Sequence, residues 1–463
     1  MAKTKNKLEQ VWRGMVYILP AVLFFSYWPL MKLGGNESMN FELSLPLIWL
    51  VIFDVVTVWL MGRKKMLLRG WRKKWMWLLL PVWLTLSVLW SLNSLRGILT
   101  VGILWLLYLA GDGLWSLRGL FGETRFKENF WKVFWGSSLV ICGWCWLQCV
   151  LDLCGAPREV SLMCAGCTYG SFGFPHPNGF AIEPQFMGNL LLAPAIISGF
   201  LVLKNKKYLW LFFALAATLF LTFSRGAIYA FLVATLVMTI WQIIQTKKWR
   251  VLLMWPVVVL GFLFTLNAQG VMAQVSRTDD TYLTGVAKVI NHLSLGVIDL
   301  QVNDGGDVGA TDGEAGGVID DEAETAMFDG YVEESTDTRL RLSGAAFEVW
   351  HQDFATALVG VGLGGAGQAL YVNGLSTAPK EIVQNQYASL LLESGVVGIL
   401  LLLMTLGLVV RAVWKSPLRM VLAALIVAYM VSLCFFSGLP NALHIYLIPM
   451  AIYAIGLRKK LVS

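Results

Sequence analysis

The chain alternates long apolar stretches with short polar ones. Twelve apolar stretches, at about 15–32, 44–62, 75–92, 95–112, 130–151, 180–203, 208–224, 226–244, 251–267, 386–410, 420–438 and 441–457, predict helices. Each approaches the ~20 residues that a helix needs to cross a bilayer, where every backbone polar group must be satisfied within the segment. Between the ninth and tenth stretches the pattern changes. From Asp304 to Asp337 there are twelve Asp or Glu, many Gly and no Lys or Arg. Such a tract buries too little apolar surface to offset the entropy of ordering it, so a solvated, disordered insert is expected. Calcium binding is the alternative, but Asp304-Gly-Gly-Asp307 lacks the ligand alternation of an EF-hand. The segment 338–358 then puts Leu342, Ala346, Val349, Trp350 and Phe354 on one helical face. It predicts an amphipathic helix lying on the membrane surface or capping the membrane helices.

Composition agrees with the pattern. Of 463 residues, 57% are hydrophobic and 14% charged, against about 25% charged in soluble domains. So apolar a chain cannot cover itself with polar surface in water. A cytosolic enzyme, a nucleic-acid binder and a secreted disulfide scaffold are excluded. The expected fold is an all-α polytopic membrane protein of about twelve transmembrane helices. It divides into an N-terminal membrane block (1–267, about nine helices), a long loop (268–385) and a C-terminal membrane block (386–463, about three helices). No internal repeat is visible.

The net charge of +7 says less than its distribution. With the N-terminus inside, the proposed inner segments hold 27 of the 36 Lys and Arg, and the outer ones carry most of the acids. This is the positive-inside bias, and one shifted span would destroy it. It predicts a cytoplasmic-membrane protein with both termini cytoplasmic and the 268–385 loop extracytoplasmic. The first span lacks a small-residue cleavage site and reads as an anchored helix.

Several residues carry candidate chemistry. Arg225, in Thr222-Phe223-Ser224-Arg225-Gly226, interrupts nearly forty apolar residues. An ionisable residue so placed is a functional candidate, with snorkelling to the interface as the bland alternative. A guanidinium fork suits phosphate, and Gly226 would let a ligand approach the backbone. Arg339 and Arg341 open the amphipathic helix and could instead pair with Glu333, Glu334 or Asp337. Glu183-Pro184 lies one turn inside the sixth span, after Phe172-Gly173-Phe174-Pro175-His176-Pro177-Asn178-Gly179. A carboxylate there needs a partner or a neutral state, and Asp54 in the second span is a more isolated case. His176, His292, His351 and His444 all fall on the outer side. Gly360 to Gly367 resembles a nucleotide loop only superficially, since it lacks Lys-Ser/Thr; a flexible or close-packed turn is expected. Six of seven cysteines lie between Cys142 and Cys167. Cys154, Cys164 and Cys167 face an oxidising compartment in this topology, so a disulfide is favoured over a Cys164-x-x-Cys167 zinc knuckle. Cys434 reads as packing.

Three stretches together resemble the O-antigen ligase/polymerase family of bacterial envelope proteins. They are TFSRGA at 222–227, Arg339-Leu340 to Ala346 followed by Gly360-Val361-Gly362, and Gln384-Asn385-Gln386-Tyr387 followed by LLLESGVVGILLLL at 390–403. The Pro177-Asn178 pair also fits, and the resemblance spans about 170–410. It implies a membrane glycosyltransferase that moves or polymerises glycan from a polyprenyl-pyrophosphate lipid onto a sugar or lipid acceptor. The implied catalytic residues are Arg225, Arg339, Gln384 and His351, and the implied substrate-binding residues are Arg341, Asn178, Glu183 and Asn385. Partners are then the lipid-linked donor, the acceptor and membrane lipids, with no nucleic acid. No cofactor or metal is expected, because a sugar–pyrophosphate bond already contains a good leaving group. One departure is plain. The family usually has His-Asn where this chain has Gln384-Asn385, and that His is regarded as catalytic. Glutamine has no basic nitrogen, so either His351, His176 or Glu183 replaces it, or Gln384 only orients the acceptor, or the chemistry has changed. A transporter or flippase of lipid-linked sugars and a non-catalytic assembly protein are the competing classes.

Overall fold

The computed structural model describes residues 2–25, 29–33, 41–66, 71–122, 124–169, 174–247, 249–275, 281–294, 338–379, 381–438 and 442–456. The acidic insert 304–337 lies outside the described residues, as do Glu333, Glu334 and Asp337 proposed as partners for Arg339 and Arg341. Each of the twelve apolar stretches has a helical counterpart. These are α1 (Ala2–Phe24), α2 (Leu45–Arg63), α3 (Trp71–Ser87), α4 (Ser94–Ser116), α5 (Thr124–Leu153), α6 (Pro184–Lys204), α7 (Leu209–Leu221), α8 (Arg225–Thr246) and α9 (Met254–Val275), with three at the end of the chain; four further helices lie between α9 and those three. The four are α10 (Tyr282–Leu293), α11 (338–350), α12 (Phe354–Val359) and α13 (Ala366–Val372). The last three are α14 (Gln386–Trp414), α15 (Arg419–Ser432) and α16 (Leu443–Ile455). Seven described helices, α2, α4, α5, α6, α8, α9 and α14, are long and apolar enough to cross a membrane. The protein is an all-α polytopic membrane protein.

Several boundaries differ from expectation, three of them with a clear local cause. The first helix ends at Phe24 instead of running to residue 32, and Pro29–Leu33 pairs antiparallel with Phe41–Ser44 as a two-stranded ribbon. Pro29 disfavours helix in the residue before it, which ends the apolar run as a helix. The sixth span begins at Pro184, so Glu183 precedes the helix instead of lying one turn inside it. The amphipathic helix stops at 350. Asp353 accepts hydrogen bonds from Thr356 N (2.9 Å) and Thr356 Oγ1 (2.6 Å) and restarts the chain as α12 in a new direction. Leu342, Ala346 and Val349 therefore pack on Leu370, Val383 and Leu392, while Phe354 leaves their face and is 81% exposed.

Helix α6 is central, with its residues from Met187 to Val202 almost all buried. It approaches the start of α8 closely at Gly188, where a Cβ would lie 2.7 Å from Ala227 Cβ and 2.9 Å from Ser224 Cβ. The glycine-rich 360–367 turn is close-packed. Val361 N donates to Leu392 O (2.9 Å) and Gly362 N to Glu393 O (3.0 Å). A Cβ on Gly362, which has φ +88°, would sit 2.3 Å from Ser91 Cα. Gly395, at φ +64°, breaks α14 on the other side of the same contact, where a Cβ would lie 2.3 Å from Leu358 O. The turn thus rivets the 338–379 segment onto α3, α4 and α14, and no phosphate cradle exists there. Asp54 is buried within α2, and neither carboxyl oxygen has a hydrogen-bond partner among the described residues.

Candidate active site

Three helix termini meet at one end of the bundle: the start of α6, the end of α7 and the start of α8. The α7–α8 connection is three residues long. Thr222 Oγ1 donates back to Leu219 O (2.7 Å), and Ser224 Oγ accepts from Ala227 N (3.4 Å) as the cap of α8. Phe223 between them is left-handed at φ +48°, a conformation costing a bulky residue of order 1–3 kcal/mol. This turn makes Arg225 the first residue of α8 and puts its side chain against a cavity of about 400 Å³. Arg225 is 6% exposed, so it does not snorkel to a surface. Gly226 proves to be a packing residue. Its missing Cβ would lie 2.9 Å from Phe435 Cβ.

The opposite wall is built by the loop before α6. Gln148, buried in α5, donates to Ser161 O (2.9 Å) and Gly179 O (3.0 Å) and accepts from Gly179 N (2.8 Å). Asn178 donates to Leu162 O and Ala181 O and accepts from Cys164 N. These amides pin the loop, and Cys164 and Cys167 are joined by a disulfide that lines the cavity. Cys154 is free and exposed, and Cys434, expected to pack, is exposed as well. Pro184, at the first helical position, forces an extended conformation on Glu183 (φ −137°, ψ 153°), and the Glu183 side chain does not cap α6. That carboxylate lines the cavity instead.

Two further elements close it. Helix α10 packs on α9, where Gly285 leaves 2.5 Å between its Cβ position and Ala273 Cβ, and Tyr229 OH donates to Leu293 O (2.7 Å). This seats His292 in the wall, its Nε2 3.1 Å from Phe223 O. A carbonyl only accepts, so Nε2 carries the proton of the neutral ring and Nδ1 the lone pair. His176 stacks on Phe174 with centroids 4.7 Å apart and meets the His292 ring at 5.6 Å. Arg339, half-buried at the start of α11, completes the lining.

Burial holds His176 well below the usual imidazole range, helped by His292 and Arg225. Burial, then Arg225 and Arg339, push His292 down to about 3, against a hydrogen bond to Phe223 that favours its charged form. Both rings are neutral at physiological pH. The surrounding protein raises the Glu183 carboxyl above its ordinary range, and Arg339 opposes that rise. The cavity therefore offers two guanidinium cations, two neutral imidazoles and one carboxylate, a set suited to an anion with more than one charge.

Of the residues expected from sequence, the cavity collects Arg225, Arg339, Glu183 and His176, with His292 beside them, and leaves out Gln384, Asn385, His351, Arg341 and Asn178. Gln384 is exposed outside it. Asn385 caps α14, accepting from Tyr387 N (3.0 Å) and Ala388 N (3.1 Å). His351 is exposed, with Nδ1 donating to Phe347 O (2.6 Å) at the end of α11. Arg341 donates to Leu375 O (3.2 Å) on the exposed side of the same helix, and Asn178 stays behind the wall. His292 was one of four undistinguished histidines in the sequence. Only the packing of α10 on α9 singles it out.

A recessed, cation-lined cavity among helix termini of a multi-pass membrane protein suits an anionic ligand. Residues 210–403 match the family model described as O-antigen ligase. Over that stretch the chain is O-antigen ligase-like, which supports glycan transfer as its general activity. The match includes Arg225 and Arg339 and begins after Glu183. No curated protein matches the sequence.

Proposed function

We propose that the cavity holds the pyrophosphate of a polyprenyl-pyrophosphate-linked oligosaccharide between Arg225 and Arg339. The protein then transfers that glycan to a hydroxyl of an acceptor sugar or lipid at the outer face of the cytoplasmic membrane. The observation that carries this reading is the convergence of two guanidiniums, 114 positions apart in the sequence (339 − 225), on one cavity. Each can donate two parallel hydrogen bonds to phosphate oxygens. Together they stabilise the charge that develops on the leaving pyrophosphate as the anomeric C–O bond breaks. The neutral state of His176 and His292 fits this role, since neither adds a third repelling cation. A carrier would bind near the bilayer midplane, often at broken helices of inverted repeats. This cavity sits at the helix ends, and that favours the transferase.

The test is glycan transfer in reconstituted membranes from a polyprenyl-pyrophosphate oligosaccharide. Arg225→Ala and Arg339→Ala should each lose donor binding and transfer. Transfer at the wild-type rate by both would remove the clamp from the mechanism.

A further inference from the structure

The clamp accounts for the leaving group and leaves the acceptor without a base. The position that carries His in the resembling family is Gln384 here, and it lies outside the cavity on the exposed surface. His351 is also outside, engaged with Phe347 O. His176 and His292 are inside but buried, and the cations beside them disfavour taking up a proton. Glu183 differs from all four. It lines the cavity, it remains solvent-accessible, and its side chain makes no cap hydrogen bond to α6. It shares the cavity with both guanidiniums, Arg225 and Arg339. It lies outside the stretch matched by the family model.

We propose that Glu183 is the general base of the transfer, a role that rests on the glycan-transfer reading above. The Glu183 carboxylate takes the proton of the acceptor hydroxyl. The hydroxyl oxygen forms its bond to the anomeric carbon of the donor. The bond from that carbon to the pyrophosphate oxygen breaks, and the electron pair leaves with the pyrophosphate between Arg225 and Arg339. The product is a glycoside inverted at the anomeric carbon, a free polyprenyl pyrophosphate and a protonated Glu183, which returns its proton to water. The charged and titratable groups facing the carboxylate are Arg339 from α11, Arg225 from α8, His176 from the entrance loop and His292 from α10. Arg339 is the one that opposes protonation of Glu183. When the donor's pyrophosphate neutralises Arg339, that opposition weakens, and the carboxylate becomes a stronger base as the reaction is set up. A raised carboxyl is what a base working near neutral pH requires.

The experiment compares wild type, Glu183→Gln and Glu183→Asp in reconstituted membranes with the polyprenyl-pyrophosphate oligosaccharide. Its doubly esterified pyrophosphate does not titrate near neutral pH, so a change in rate belongs to the protein. Wild-type kcat should fall as the medium is acidified through the raised carboxyl range. Glu183→Gln should lower kcat by about 10²–10⁴-fold, remove that acid limb, and leave donor affinity intact. Glu183→Asp should keep the limb with a smaller kcat, since the carboxylate is retained but drawn back. A merely structural carboxyl would change donor affinity or thermal stability along with the rate. Wild-type turnover and an unchanged acid limb in Glu183→Gln, with Arg225→Ala still losing donor binding, would overturn the base and leave the transferase standing. Failure of the wild type to bind the donor at all would overturn the transferase, and the base with it.

Discussion

Arg225→Ala should separate activity from stability, because Arg225 is badly placed for the helix it begins. The N-terminus of a helix carries a partial positive charge, and a cation there costs about 0.3–1 kcal/mol. Arg225 adds burial to that misplacement. Removing it should leave thermal stability within about 1 kcal/mol of wild type, since relief of this repulsion offsets the contacts that are lost. Transfer should behave in the opposite way. Loss of one preorganised donor to a developing anion lowers a rate by about 10²–10³, or ~2.7–4 kcal/mol. Arg225→Lys keeps the charge but surrenders the fork. It should fall about 10–100-fold, the equivalent of one charge-assisted hydrogen bond. The assay is initial transfer rate against donor concentration in proteoliposomes, with the unfolding midpoint of each variant measured in the same detergent. An Arg225→Ala protein that transfers normally refutes the clamp. One that unfolds in proportion to its lost activity makes Arg225 a structural residue.

Other consequences are direct. Gly362→Ala should destabilise by more than about 1–3 kcal/mol, combining a disfavoured positive φ with a Cβ 2.3 Å from Ser91 Cα; Gly374→Ala, also at positive φ but with nothing within 4 Å, is the control and should cost about 1–2 kcal/mol. Because His292 is held at about 3 when folded against 6.5 ordinarily, the unfolded chain binds more protons below 6.5, and stability falls on acidification. At pH 5 that loss amounts to about 2 kcal/mol, and an unfolding midpoint in His292→Gln that stays as pH-sensitive as wild type would contradict the neutral buried ring. Replacing 303–330 with a short Gly/Ser linker should leave fold and transfer nearly intact, and a large fall in transfer at normal expression would reveal a site in the acidic tract. A cysteine placed at position 310 should react with an impermeant reagent on intact cells, whereas labelling only after lysis would reverse the proposed topology.

Helix placement was legible in the sequence because a membrane span advertises itself through length and apolarity alone. The hidden features depend on single residues against that background. Nothing in the apolar count ends the first helix at Phe24; Pro29 and the antiparallel backbone pairing of 29–33 with 41–44 replace it with a ribbon. Asp353 restarting the helix as α12 is a local hydrogen-bond event that the 3.6-residue period of 338–358 conceals. At the site, Arg225 stood out because charge is rare inside an apolar run. Asn178 and Asn385 stood out equally, yet their amides serve backbone groups in a loop and at a helix start. Polar residues next to an identifying motif do both jobs, and only the direction of the side chain tells them apart. His292 carried no signal, because its place follows from small-residue contacts at Gly285 and Gly270, far from it in chemistry.

The exposed position of Gln384 alters what its departure from the family pattern means. A base must come within hydrogen-bond reach of the proton it removes. Residue 384 precedes the Asn385 cap of α14 and does not line the cavity where Arg225 and Arg339 meet. Losing an imidazole there leaves the composition of that cavity unchanged. A carboxylate that is already inside, held extended by Pro184 and facing Arg339, can then do the work, provided its affinity for protons rises when the anion arrives. The Glu183–Arg339 relation supplies that coupling. In the proposed reaction the guanidinium assigned to the leaving group is also the one that lowers the Glu183 carboxyl, so donor binding and base strength would be linked through one side chain, and a protein without donor should hold its base in the weaker state.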